Sequence, residues 1–171
     1  IFQELREIKT EEEIALMRRS ISITCKGFIS MMQNIKPGMT EYQVQAYGEY
    51  EFKKYGAETE GYPSICGSRE NSTILHYNTN RRTLNDSDLI LLDMGAEYHG
   101  YSADVTRTIP VNGKFTADQK LIYELVLKAQ NAGITACVAG NEFSSPHKAA
   151  VTVLSEGLVK LGIIKDPSDY D

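Results

Sequence analysis

The stretch LILLDMGAEYHGYSADVTRT, residues 89–108, places two carboxylates in a segment typical of a buried β-hairpin. Asp93 follows the apolar run Leu89–Leu92, and Asp104 lies beyond the turn. A lone carboxylate in such a strand is costly unless it is paired or holds a metal ion. The two aspartates are therefore the first candidates for a functional site.

The position of the turn decides how the aspartates face each other. If Tyr98 and His99 form its centre, Asp93 lies directly opposite Asp104, and the Cβ atoms of such a pair stand about 4.5–5.5 Å apart. Like charges this close repel in a low-dielectric site, and a cation between them removes the repulsion. The alternative is that both are exposed charges on an edge strand. The apolar neighbours of Asp93 favour a metal site.

The composition bounds the class of protein. The chain has 171 residues, of which 42% are hydrophobic and 24% charged, enough for one domain with a core. The net charge is −5 and the basic residues are scattered, which argues against nucleic acid and membrane as partners. Cys25, Cys66 and Cys137 lack paired spacing and indicate buried thiols in a reducing cytoplasm.

Capping signals and periodicity order the chain as two helices, a block of strands and two helices. Thr10 with Glu13, Thr40 with Gln43, and Thr116 with Gln119 predict three helix starts, and Ser144 or Ser145 followed by Pro146 predicts a fourth. Between the helix pairs, residues 73–78 (TILHYN) predict a short strand and residues 89–109 a hairpin. This order indicates an α+β fold, with helices on one face of an antiparallel sheet.

Several segments resemble one enzyme family. The motif LLDMG…GYSADVTRT, preceded by ILHYN, is similar to the pita-bread metallopeptidases, which include aminopeptidase P, prolidase and methionine aminopeptidase. The resemblance to aminopeptidase P covers nearly the whole chain and includes KTEEEIALMRRS, IKPGMTEYQVQ and PVNGKFTADQK. It implies a Xaa-Pro aminopeptidase that hydrolyses the bond between an N-terminal residue and a following proline, with a proline-containing peptide as its partner.

The resemblance also implies a dinuclear metal site. Asp93 would bind one divalent ion, Asp104 would contact both, and His76 would contact the substrate beside the metals. Two such ions can activate a bridging water and polarise the scissile carbonyl. Oxygen ligands favour hard ions, so Mn²⁺ is the first expectation, with Zn²⁺ or Co²⁺ as alternatives. Without the resemblance, a histidine among Ile74, Leu75 and Tyr77 would be read as a core residue.

The family pattern extends beyond these residues. Its five metal ligands are two aspartates, a histidine and two glutamates, and only the aspartates match here. The resemblance therefore predicts that residues 1–171 form the N-terminal half of a catalytic domain, with residues 1–9 as the exit from a missing domain and with the C-terminal half missing. We also expect a homo-oligomer in the cytoplasm. The alternatives are a prolidase, which prefers dipeptides, and a non-catalytic binding module, which the two aspartates disfavour.

Overall fold

The computed structural model describes residues 2–168, which fold into helices and short antiparallel strands. The helices are α1 (Phe2–Glu7), α2 (Glu11–Asn34), α3 (Glu41–Lys54), α4 (Ala117–Ala136), α5 (Ser145–Lys160) and a 3₁₀ helix (Arg69–Thr73). The strands are β1 (Thr59–Glu60), β2 (Ile65–Ser68), β3 (Leu89–Met94), β4 (Ala96–Tyr98), β5 (Tyr101–Ser102) and β6 (Val105–Pro110). The chain divides into two compact units, one running to Lys114 and one from Phe115 onward.

The four predicted helices are present and begin where their capping residues place them. At the start of α2 the Glu13 carboxylate accepts a hydrogen bond from the Thr10 amide at 2.7 Å, and the Thr10 hydroxyl accepts one from the Glu13 amide at 3.3 Å. The same reciprocal pair opens α4 between Thr116 and Gln119. These contacts satisfy amide groups that the first helical turn leaves without partners.

The first unit contains two three-stranded antiparallel sheets, in the orders β1–β4–β5 and β2–β3–β6. Helices α2 and α3 pack against each other and against strands of both sheets. The buried core joins helix residues to strand residues: Ile23, Phe28, Met31, Val44, Phe52, Cys66, Ile90, Leu92 and Met94. Burial of these apolar side chains is the main favourable term for the unit. The predicted α+β class is confirmed.

The hairpin turn differs from the prediction. Its two central residues are His99 and Gly100, both with positive φ, 50° and 86°, and Tyr98 pairs with Tyr101. Positive φ at both central positions defines a turn of type I′, whose twist matches that of the flanking strands. The prediction placed the turn one residue too early, so every cross-strand pair shifts by two residues.

The predicted direct pairing of the aspartates is therefore wrong. Asp93 lies opposite Thr106 in the β3–β6 ladder, and Asp104 lies in the break between β5 and β6. Asp104 precedes Thr106 by two residues, which keeps it on the side of the hairpin that carries Asp93, because side chains alternate with a period of two. The aspartates are diagonal neighbours.

Helix α2 fixes the break in the hairpin. The Ser20 hydroxyl donates to the Ala96 carbonyl at 2.7 Å, and the Ala96 amide donates to the Thr24 hydroxyl at 2.9 Å. Gly95 lies at the same point, and a Cβ atom there would stand 1.7 Å from the carbonyl oxygen of Ala103. Only a residue without a side chain permits this approach, so the hairpin passes from one sheet to the other at Gly95.

The predicted strand over residues 73–78 is wrong. Arg69–Thr73 form the 3₁₀ helix, and a turn at Leu75 and His76 follows it. The strand of this region comes earlier, as β2, and pairs with β3. The segment that carries His76 is therefore a loop and does not extend the sheet.

The second unit consists of α4 and α5 packed on each other. A Cβ atom at Gly157 would stand 2.2 Å from a methyl carbon of Leu125, so the two helices approach closely there. None of the helices within residues 2–168 is long and apolar enough to cross a membrane. All three cysteines are free, but only Cys66 is buried, so the expectation of buried thiols is wrong for Cys25 and Cys137.

Candidate metal centre

A single tyrosine hydroxyl joins the two aspartates. The Tyr62 hydroxyl lies 2.6 Å from Oδ1 of Asp93 and 3.0 Å from Oδ1 of Asp104. Asp93 is half-buried and Asp104 is exposed. The structure thus brings the two sequence-predicted carboxylates to one point, although by a different register from the one expected.

Tyr62 reaches the aspartates because its segment runs close to the hairpin. The Gly61 amide donates to the Gly95 carbonyl at 2.8 Å. A Cβ atom at Gly61 would stand 2.7 Å from the Ser102 side chain, so a larger residue would push the segment away. Next to Tyr62, strand β2 begins at Ile65, which lies opposite Asp93.

The phenol cannot satisfy both carboxylates. Burial and hydrogen bonding to Asp93 raise the pKa of Tyr62 far above its ordinary value, so the hydroxyl keeps its proton at neutral pH. It has one proton to share between two acceptors. The carboxylate pair therefore retains lone pairs that can bind a cation or accept from a further hydrogen-bond donor.

His76 lines the same cavity as the aspartates. The cavity has a volume of about 400 Å³ and is lined by Tyr62, Pro63, Ile65, His76, Asn78, Asp93 and Asp104. His76 is exposed, and its backbone has φ 55°, a left-handed conformation that costs free energy for a residue with a side chain. The surrounding loop must hold it there. The structure thus groups all three sequence-predicted residues around one cavity.

The two carboxylates are the kind of donor that suits a hard divalent cation. Carboxylate oxygens are the ligands that such ions prefer. Among residues 2–168, however, no three His, Cys, Asp or Glu side chains are grouped closely enough to hold a metal ion. Asp93 and Asp104 by themselves could supply part of a coordination sphere.

Comparison with known proteins identifies the family. The sequence model of metallopeptidase family M24 matches residues 15–166. The chain belongs to this family. Xaa-Pro aminopeptidase from Haemophilus influenzae is 43% identical over 169 residues, which cover 99% of this chain and 39% of that protein. Xaa-Pro dipeptidase from Homo sapiens is 37% identical over 171 residues, which cover 97% of this chain and 35% of that protein.

A solved structure shows the same fold. Zn-substituted aminopeptidase P from Escherichia coli, in complex with product, superposes with a TM-score of 0.93 at 41% identity, covering 96% of this chain and 38% of that one. The pita-bread fold predicted from the resemblance is confirmed. The M24 chain described here spans less than half the length of the relatives that it matches.

Sequence reasoning gave Tyr62 no role at this site. Tyr62 is separated from the aspartates by 31 and 42 positions, and no spacing rule links a tyrosine to carboxylates at such distances. Its part in the site depends on the register of β2 on β3 and on the close approach at Gly61, which are tertiary features.

Proposed function

We propose that this M24 chain is the N-terminal half of the catalytic domain of a metal-dependent Xaa-Pro aminopeptidase. The observation that carries the proposal is the shared contact of Asp93 and Asp104 with the Tyr62 hydroxyl at one side of a cavity. Binding sites for small substrates have volumes of about 300–1,000 Å³, and this cavity of about 400 Å³ lies in that range. The Xaa-Pro aminopeptidases among its relatives support the reaction.

In this proposal the two aspartates hold divalent metal ions. When bound, such ions would supply Lewis acidity at the cavity that these residues line. Asp93 and Asp104 orient their oxygens toward the cavity, and Tyr62 holds one oxygen of each in place. We propose Mn²⁺ as the metal in the cell, because the carboxylate donors are hard. Zn²⁺ is an alternative supported by the zinc-substituted relative.

The remaining ligands, a histidine and two glutamates, would come from a segment of the full-length protein that follows this chain. By full-length protein we mean the polypeptide that joins residues 1–171 to that segment. The incomplete donor set supports this part of the proposal, because two carboxylates do not offset the dehydration of a divalent ion. In this proposal His76 contacts the bound peptide in the cavity that it lines together with the aspartates.

A dipeptidase is the second candidate function. Human Xaa-Pro dipeptidase matches nearly the whole chain at 37% identity, and the cavity described here does not fix the length of the peptide. A non-catalytic binding module of the same fold is disfavoured by the presence of both aspartates.

The test is an assay of the full-length protein with Mn²⁺ on Ala-Pro-Ala, Ala-Ala-Ala and Ala-Pro. An aminopeptidase releases alanine from Ala-Pro-Ala and leaves Ala-Ala-Ala intact, and a chelator stops the reaction. Cleavage of Ala-Pro alone would assign the dipeptidase function. Absence of cleavage with every metal tested, in protein that is folded by circular dichroism, would exclude both enzymes.

We further propose that the protein self-associates and acts in the cytoplasm. The second unit exposes large apolar side chains at Ile134, Val138 and Phe143, and apolar surface of this kind marks contacts with other chains. The three cysteines are free, as is usual in a reducing compartment. Analytical ultracentrifugation of the full-length protein tests the first statement, and cell fractionation tests the second.

A further inference from the structure

Glu41 is a fully buried carboxylate at the start of α3, far in sequence from the aspartate pair. Its two oxygens accept five hydrogen bonds, from the amide and hydroxyl of Ser68, from Asn71, from Tyr77 and from the amide of Arg82. A buried charge is tolerated when its lone pairs are filled in this way. Burial alone would raise the pKa of Glu41, but hydrogen bonds from Tyr77, Ser68 and Asn71 outweigh it and lower the pKa.

All five donors lie in residues 68–82, the segment that carries His76 and includes the loop around it. Ser68 ends β2, Asn71 lies in the 3₁₀ helix, Tyr77 directly follows His76, and Arg82 lies near the end of the loop. Tyr77 is also bound by Asn71 at 3.0 Å. One carboxylate therefore ties together the loop on both sides of His76.

The backbone of α3 reinforces this attachment. The Glu41 amide donates to the Arg82 carbonyl at 2.9 Å, and the Tyr42 amide donates to the Asn80 carbonyl at 2.8 Å. The Arg82 side chain donates to the Ser68 hydroxyl at 2.8 Å and to Asp88 at 2.6 Å. The loop is thus closed by contacts to the start of α3, and its ends cannot separate without breaking them.

His76 is in contrast exposed and holds a left-handed backbone conformation. Because that conformation is unfavourable for a residue with a side chain, the flanking contacts must impose it. Two of these contacts involve Tyr77: its amide donates to the Ile74 carbonyl at 3.3 Å across the turn, and its hydroxyl donates to Glu41 at 2.7 Å.

We infer that Glu41 is the positioning residue for His76: its buried carboxylate sets the loop conformation that presents the imidazole to the cavity of the aspartate pair. This inference rests on the proposed function where it concerns catalysis. Glu41 touches neither the substrate nor the metal ligands and acts only through the loop. It differs in this respect from Tyr62, which contacts the aspartates directly.

The kinetic test uses a double-mutant cycle in the full-length protein with Mn²⁺ and Ala-Pro-Ala. Glu41→Gln replaces one acceptor oxygen by a donor while keeping the shape, and we expect kcat to fall about tenfold while the metal content stays at the wild-type level. In the His76→Ala background the same substitution should cause no further loss, because the residue it positions is gone. Equal losses in both backgrounds would overturn the inference.

Two further variants separate positioning from folding. Tyr77→Phe removes the hydroxyl that donates to Glu41 from the residue next to His76. This variant should show part of the kcat loss of Glu41→Gln, and it should cause no further loss in the His76→Ala background. It keeps the test valid if Glu41→Gln does not fold. Glu13→Gln is the matched control, because Glu13 is also a carboxylate in the first turn of a helix and accepts, in the described contacts, from the Thr10 amide and the Tyr101 hydroxyl, neither of which lies in the loop around His76. It should leave kcat unchanged, and a loss equal to that of Glu41→Gln would contradict the inference.

A readout without activity distinguishes failure of this inference from failure of the proposed function. The imidazole resonance of His76 is identified as the one that disappears in His76→Ala. We expect Tyr77→Phe and Glu41→Gln to shift or broaden it and to leave the resonance of His99 in place. An unchanged His76 resonance would overturn the inference even in an active enzyme. If the His76 resonance changes in these variants but the protein cleaves no peptide, the inference about Glu41 stands and the proposed function is wrong.

Discussion

The carboxylate of Glu41 and those of Asp93 and Asp104 differ in how many hydrogen-bond donors the protein supplies to them. Glu41 receives five protein donors and is fully enclosed. The two aspartates share one phenol proton at the wall of a cavity. Glu41 is complete without any ligand, whereas the aspartates have lone pairs left for one. In our proposal, the number of donors per carboxylate separates the structural role of Glu41 from the ligand-binding role of the aspartates.

This contrast predicts that replacement of Glu41 and replacement of an aspartate of the pair have different effects on stability and activity. Loss of a satisfied buried acceptor leaves its donors without partners, which costs about 1–3 kcal/mol of stability. Replacement of Asp93 or Asp104 in the metal-free protein removes a repulsion between like charges and therefore costs little stability. Stability and activity should therefore respond to different residues.

The largest effect is expected for Asp104→Ala in the full-length protein. Activity on Ala-Pro-Ala should fall by more than the roughly 10–100-fold that loss of an outer-shell partner costs, and metal content should fall with it. The free energy of unfolding of the metal-free protein should not decrease. Steady-state kinetics, metal analysis and urea denaturation measure the three quantities.

Asp86→Ala is the control, because Asp86 is exposed and binds only the Asn112 side chain at 3.1 Å in the described contacts. Its effects on activity and stability should be small, as exposed substitutions usually change stability by less than about 0.5 kcal/mol. Wild-type activity of Asp104→Ala in metal-replete buffer would remove Asp104 from the site.

The next largest effect is expected for His76→Ala. Turnover should fall about 10–100-fold, the equivalent of one lost hydrogen bond of about 1.5–3 kcal/mol to a charged group. Metal content should remain unchanged, because His76 is placed beside the ions and not on them. Loss of a metal ion in this variant would make His76 a ligand and contradict the proposed role.

The effect of Glu41→Gln on the free energy of unfolding should be full at neutral pH and should decrease in acid. The folded pKa of Glu41 is lowered, so its contribution is fully present above its unfolded pKa of about 4.3 and is lost as the pH falls through the folded value. At pH 7 the variant of this chain should be less stable by about 1–3 kcal/mol. The difference should shrink below about pH 4. Urea denaturation at several pH values measures it, and a difference independent of pH would contradict the account.

The smallest effect is expected when Mn²⁺ is added to the isolated 171-residue chain. Two aspartates without further ligands should bind an ion no tighter than about 1 mM, so 1 mM Mn²⁺ would stabilise the chain by less than about 0.4 kcal/mol. That corresponds to a rise in Tm below about 2 °C. Micromolar binding with hydrolysis of Ala-Pro-Ala by this chain alone would refute the half-domain proposal.

Local signals in the sequence predicted much of the fold. The helices α2, α3 and α4 follow capping pairs three residues apart, which act within one turn and need no tertiary contact. The register of the hairpin could also have been found. Gly100 after His99 fits a type I′ turn, in which glycine favours the second central position, and this turn gives the observed pairing.

The loop around His76 could not be predicted by the same means. Residues 73–78 carry the apolar and β-branched residues of a strand, but the donors of the loop are bound by Glu41, which is 27 positions from Ser68 and 36 from Tyr77. Periodicity does not detect contacts at these distances. Tyr62 was missed for the same reason, since only the folded sheet brings it to the aspartates.

Gly95 has a consequence for reading variants of the gene. It contributes no side chain to the site, yet any other residue would place a carbon atom 1.7 Å from the Ala103 carbonyl, one residue before Asp104. In a saturation library scored by peptidase activity, codon 95 should tolerate as few replacements as codon 104. A ranking of positions by lost activity alone would then place Gly95 among the catalytic residues, although it acts only on the backbone. A parallel measurement of protein abundance would separate loss of folded protein at position 95 from loss of activity at position 104.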